Sequence, residues 1–168
     1  MGLHCHLGLF AIHSNRLGDD MLQQIAFGGA VSVLNIAIHA FLMTSVVMVS
    51  RSAFARSVNG LRFHPSILFV KVMVPTVSVL MITHVLEVIV WALAYFIVGA
   101  APVDADQVYF AFVNYTTLGY GDVIPVASWR LLGPLTAMNG MLLFGWSTAV
   151  LFEVLRTAAQ RIGLRSAH

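Results

Sequence analysis

The residues best suited to chemistry are Thr116-Thr117-Leu118-Gly119-Tyr120-Gly121-Asp122. A dehydrated monovalent cation needs a ring of oxygens in place of its water shell. Backbone carbonyls supply them if successive residues all turn their carbonyl the same way. That conformation alternates in handedness, and glycine enters positive φ without steric cost. Gly119 and Gly121, two apart, meet this need. Thr117 adds a hydroxyl ligand at the inner end. Tyr120 points away from the ion path, where it can brace the loop against surrounding helices.

Such a loop must be held at membrane depth, and the elements around it suit that task. Of 168 residues, 59% are hydrophobic and 10% charged, with mean hydropathy +0.87. A soluble domain carries about 25% charged residues, so this chain belongs in a bilayer. About 20 apolar residues cross the hydrocarbon core. Three stretches qualify, near 21–50, 66–100 and 131–155. The second is long enough to tilt or kink, with Pro75 as a kink candidate. Gln107 to Thr116 is too short to span, at about 15 Å of helix. An acidic residue before it, Asp104 or Asp106, can cap its start. A short helix followed by irregular backbone between two spans reads as a re-entrant loop, tolerated only where protein buries it or water bathes it.

Arg51, Arg56, Arg62 and Lys71 crowd the first link, and Arg156, Arg161 and Arg165 follow the third span. The second link carries Asp104, Asp106 and Asp122, with Arg130 near its end. The positive-inside rule places the first link and the C-terminus in the cytoplasm and the N-terminus outside. Residues 1–20 lack a signal-peptide pattern and read as an N-terminal tail or interfacial segment. Residues 21–65 form the first span and its basic link, and 66–168 the pore domain. His4-Cys5-His6 is too small a donor set for a closed metal site. The lone Cys5 excludes an intrachain disulfide. The small positive charge does not suggest nucleic acid.

With these pieces in place, the chain resembles the potassium channel superfamily, compact prokaryotic type. That family carries Thr-Val-Gly-Tyr-Gly, usually followed by Asp, with four copies around one axis. Here the run is Thr117-Leu118-Gly119-Tyr120-Gly121-Asp122, with Leu118 in place of Val. Tyr109-Phe110, Pro125, Trp129 and Gly140 also fall where the family has a pore-helix aromatic pair, outer-mouth residues and an inner-helix hinge glycine. Phe144-Gly145 and Thr148 fall where it lines the cavity and inner helix. The resemblance implies an all-α membrane protein: three transmembrane helices, a re-entrant pore helix and a filter loop in a tetrameric pore. It also implies K+ at the carbonyls of Thr117, Leu118, Gly119 and Tyr120, with Gly121 completing the filter. Asp122 and Thr116 support it, and Tyr109 supplies a hydroxyl to Asp122, because the acid the family often carries in the pore helix is absent near Val113 and Asn114.

Other polar residues have two readings each. His84, Glu87, Trp91 and Tyr95 share one face of the second span. There, His84 and Glu87 are either a proton-sensitive pair or a brace against the pore helix. Asn35 and His39 form a similar pair in the first span, where interhelical hydrogen bonding is the default. Glu153 is either a cation-attracting ring at the inner mouth or a salt-bridge partner of Arg156. Phe144 and Phe152 are candidates for an apolar constriction or plain packing. Gly140, Phe144, Thr148, Phe152, Glu153, His84 and Glu87 are therefore the candidate gating residues.

No span repeats Arg or Lys every third residue, which argues against a voltage sensor. No cytoplasmic ligand-binding domain, enzyme chemistry or cofactor is expected. The expected partners are potassium ions, the lipid bilayer and three further copies of the chain. The expected activity is passive K+ flux across a bacterial inner membrane. The alternatives are a weakly selective cation channel, motivated by Leu118, and a non-conducting regulatory subunit.

Overall fold

A computed structural model describes the backbone of residues 2–57 and 65–166, and side chains within 18–49, 52, 67 and 69–160. Its order is α1 (Gly2–Ser57), α2 (Pro65–Val98), α3 (Gln107–Tyr115), one 3-10 turn at Ala127–Trp129, and α4 (Leu132–Ser166). There are no strands among the described residues. Three segments are long and apolar enough to cross a membrane: Gly18–Val49, Phe69–Val98 and Ala127–Gln160. The protein is an all-α integral membrane protein.

One boundary differs from expectation. The N-terminal segment is helical from Gly2 and runs unbroken into the first span, because 2–21 holds no Pro and its glycines, at 2, 8 and 18, are isolated from one another. The side chains of His4, Cys5 and His6 lie outside the described residues. Pro75 lies within α2, which continues through it. At 34 residues α2 extends about 51 Å, longer than the ~30 Å hydrocarbon core.

Helices in lipid gain little from the hydrophobic effect against each other, so small residues and polar contacts must hold them. The buried face of α4 reads Leu132, Thr136, Asn139, Leu143, Ser147, Val154 and Ala158, the three-and-four spacing of one helical stripe. Against its upper half packs a cluster of Val88, Trp91, Ala92, Ala94 and Tyr95 from α2 with Phe110, Ala111 and Tyr115 from α3. Alanine at five cluster positions (92, 94, 100, 101 and 111) lets the backbones approach. α1 packs on both α2 and α4. A β-carbon at Gly28 would sit 2.6 Å from Leu135 Cδ1, so glycine there permits the α1–α4 approach.

Candidate functional site

The short helix α3 starts and stops by local chemistry. Asp106 Oδ1 accepts from the backbone N–H of Val108 (2.9 Å) and Tyr109 (3.1 Å), an N-cap contributing about 1 kcal/mol. At the other end, Thr117 N–H bonds Asn114 O (3.0 Å) and Leu118 N–H bonds Val113 O (2.9 Å). These paired bonds, around a left-handed residue, are a Schellman stop. The same motif ends α2 at Gly99, where Gly99 N–H bonds Phe96 O and Ala100 N–H bonds Tyr95 O. There the left-handed residue is glycine, with φ of +62. In α3 it is Thr117, with φ of +60, the only non-glycine at positive φ among the described residues. A β-branched residue in this region is an outlier.

Beyond it the alternation continues. Gly119 has φ of +57 and Gly121 of +79, so residues 117, 119 and 121 all have positive φ. The two glycines were legible as left-handed positions; Thr117 was not, although it lies two residues before Gly119 in the same alternation. The side chains of Leu118 and Tyr120 do not fold back onto their own chain. Leu118 is 52% exposed and Tyr120 69% exposed. The expected bracing by Tyr120 is thus not made within one chain.

Loop residues after Gly121 are tied down. Tyr109 Oη donates to Asp122 Oδ2 at 2.7 Å. This bond holds the Asp122 carboxyl below its usual range and raises the Tyr109 phenol. Val126 N–H bonds Ala100 O at 2.9 Å, anchoring the return segment to the end of α2. Trp129 meets Phe27 of α1 edge-on, with ring centroids 5.7 Å apart. Gln24 Oε1 accepts from Leu131 N–H at 2.9 Å, so α1 supplies a partner for the start of α4.

Behind the loop lies a buried polar network. Tyr115, the last residue of α3, donates its hydroxyl to Glu87 Oε2. His84 Nδ1 lies 3.0 Å from Glu87 Oε2 and 3.0 Å from Tyr115 Oη. His39 Nδ1 lies 2.7 Å from Glu87 Oε1. His84 Nε2 lies 2.9 Å from Ser147 Oγ of α4. One helical turn above, Asn139 Oδ1 accepts from Trp91 Nε1 (3.0 Å) and Asn35 Nδ2 (3.2 Å). Tyr95 and Thr136 hydroxyls meet at 2.5 Å. Glu87, Trp91 and Tyr95 therefore do share a buried face, and Glu87 does contact the pore helix. The two pairs read separately, Asn35 with His39 and His84 with Glu87, join into one network. Tyr115, Asn139 and Ser147 were missed. The only trace of the last two was their spacing, two polar residues eight apart in an apolar span.

Besides the expected hinge, Gly140 has a role in packing. A β-carbon there would clash with the carbonyl of Tyr115, so glycine allows α3 to cross α4. α4 runs unbroken through it. Phe144 packs on His84 (4.4 Å) and Tyr115 (5.4 Å), and Thr148 Oγ1 donates back to Phe144 O at 2.9 Å. Glu153 pairs with Arg156 Nε at 3.2 Å, both partly exposed. Phe152 is 63% exposed.

Two membrane-crossing helices flanking a short re-entrant helix and a loop of alternating handedness define a pore-forming membrane protein. Residues 83–157 match the family model described as Ion channel. That stretch covers the second half of α2, α3, the loop and most of α4. No curated protein and no solved structure gives a significant match.

Proposed function

We propose that the chain is a potassium-selective channel in which four copies place the Thr117–Gly121 loops around one axis. The observation that carries this reading is the positive φ at 117, 119 and 121. Alternating handedness turns successive carbonyls toward one line, and a ring of them replaces the hydration shell of K+. K+ sits at the carbonyls of Thr117, Leu118, Gly119 and Tyr120. Asp122, held by Tyr109, supports the outer mouth. The exposed Leu118 and Tyr120 side chains fit a loop completed by neighbouring copies. By the placement of Arg and Lys, the N-terminus lies outside, and the first link and C-terminus lie in the cytoplasm of a bacterial cell.

Purified protein in liposomes tests this reading. Reversal potentials near the K+ equilibrium value under opposed K+ and Na+ gradients are expected. Equal permeation of Na+ would replace strict selectivity by the weakly selective reading that Leu118 motivates. No flux of either ion would favour a non-conducting regulatory subunit.

A further inference from the structure

The network behind the loop converges its donor atoms on one point. His39, His84 and Glu87 each offer a ligand atom, and all of these lie within 4.8 Å of one another. His39 comes from α1, while His84 and Glu87 come from α2 at i, i+3 spacing. A carboxylate and an imidazole three apart on one helix, facing inward, is how helical bundles build metal centres. Tyr115 Oη, 3.0 Å from His84 Nδ1, closes the group as a fourth donor atom. The side chains of His39 and Glu87 are fully buried and that of His84 is 12% exposed.

We propose that His39, His84, Glu87 and Tyr115 bind one divalent transition-metal ion of the Zn2+ kind, tying the first helix to the base of the pore helix. Two imidazoles and a carboxylate are the ligand types Zn2+ takes, with a fourth donor atom completing a tetrahedron. Charge favours the same occupant. A carboxylate in a membrane span is costly unless a positive charge lies beside it, and a divalent cation held by Glu87 supplies that charge.

Outer bonds set the ligands. When His84 Nε2 carries the proton and donates to Ser147 Oγ, Nδ1 turns its lone pair toward the centre. Such outer-shell bonds orient metal-bound histidines. His39 Nε2 has no partner, so His39 is the least firmly held ligand and the site is exchangeable rather than permanent. The ion's position gives it leverage. Tyr115 ends α3, and Thr117, at positive φ, follows two residues later.

The test is metal binding by the purified full-length chain in detergent, in a His4→Ala, Cys5→Ala, His6→Ala background that removes the N-terminal donors. After chelation and addition of Zn2+, about one retained ion per chain is expected. His84→Gln and Glu87→Gln are expected to weaken binding about tenfold or more while the protein elutes at the same oligomeric size. Co2+ bound to the unmutated network gives visible d–d bands of tetrahedral intensity, a readout that needs no variant to fold. Absence of those bands, or Zn2+ affinity unchanged in both folded variants, overturns the proposal and leaves a hydrogen-bonded brace alone. Neither readout depends on ion flux, so a failure here leaves the channel reading standing, and a silent liposome leaves this one standing.

Discussion

The two sides of α3 are finished to different degrees. Behind it, Glu87, Trp91, Tyr95, Asn139 and Tyr115 are fully or almost fully buried within a single chain, and nearly every polar atom has a partner. In front of it, the loop is ordered mainly by its backbone and by the Tyr109–Asp122 bond, and Leu118 and Tyr120 are open. The difference teaches how the labour is divided. One chain builds the support completely, whereas the loop is shaped by helix-stop geometry and glycine and leaves the Leu118 and Tyr120 side chains open. The back is a problem of side-chain partners and close packing, the front a problem of backbone handedness. Substitutions should therefore fail differently on the two sides.

The largest effect is expected in front. Gly119→Ala meets no atom closer than 3.9 Å, yet its positive φ costs an L-residue about 1–2 kcal/mol. K+ flux in liposomes should fall by about a hundredfold or more, with folding and oligomeric size retained. Preserved flux would break the assignment of the loop. Behind α3, Asn139→Leu strands the buried Trp91 N–H, at a cost of about 1–3 kcal/mol. A lowered thermal midpoint is the readout. An unchanged midpoint would mean that the network contributes little to holding the helices.

Gly140→Ala tests where front and back meet. The added methyl collides with the Tyr115 carbonyl, and overpacking of this kind costs about 1–3 kcal/mol. Stability and flux should fall together, because α3 must shift. Flux altered at full stability would favour the hinge reading. Tyr109→Phe acts only in front. Tyr109 keeps the Asp122 carboxyl below its usual range, so Asp122 stays ionised to lower pH with the hydroxyl than without it. Any contribution of the carboxylate is present above its ordinary pKa and lost as pH falls through the depressed one. In the variant, loss of current on acidifying the outer side should begin at higher pH. Superimposable pH profiles would show that the bond does not govern the outer mouth. The smallest effect is Glu153→Gln, which removes an exposed pair with Arg156 worth about 0–1 kcal/mol. Conductance should be nearly unchanged, and a marked fall would favour a ring at the inner mouth.

Much of this was legible from residue types alone. The spans follow from apolar length, the start of α3 from Asp106, and the left-handed positions at Gly119 and Gly121 from the absence of a β-carbon. Tyr109 as a partner of Asp122 was also legible, because a missing acid left one hydroxyl within reach. These features depend on local chemistry or on solvent preference, which neighbouring residues reveal. Thr117 at positive φ was hidden because a β-branched residue does not choose that region. The helix stop imposes it through two backbone bonds.

Tertiary structure decided what separate helices do together. Asn35 and His39 look alike whether they face lipid or protein, and only packing brings His39 to Glu87, Asn35 to Asn139 and Tyr115 to both Glu87 and His84. The role of Gly140 depends on a carbonyl 25 residues away, at Tyr115. A sequence records which side chains can donate, accept or leave room. Which of them meet depends on helix crossings, and these depend on every small residue along several helices at once.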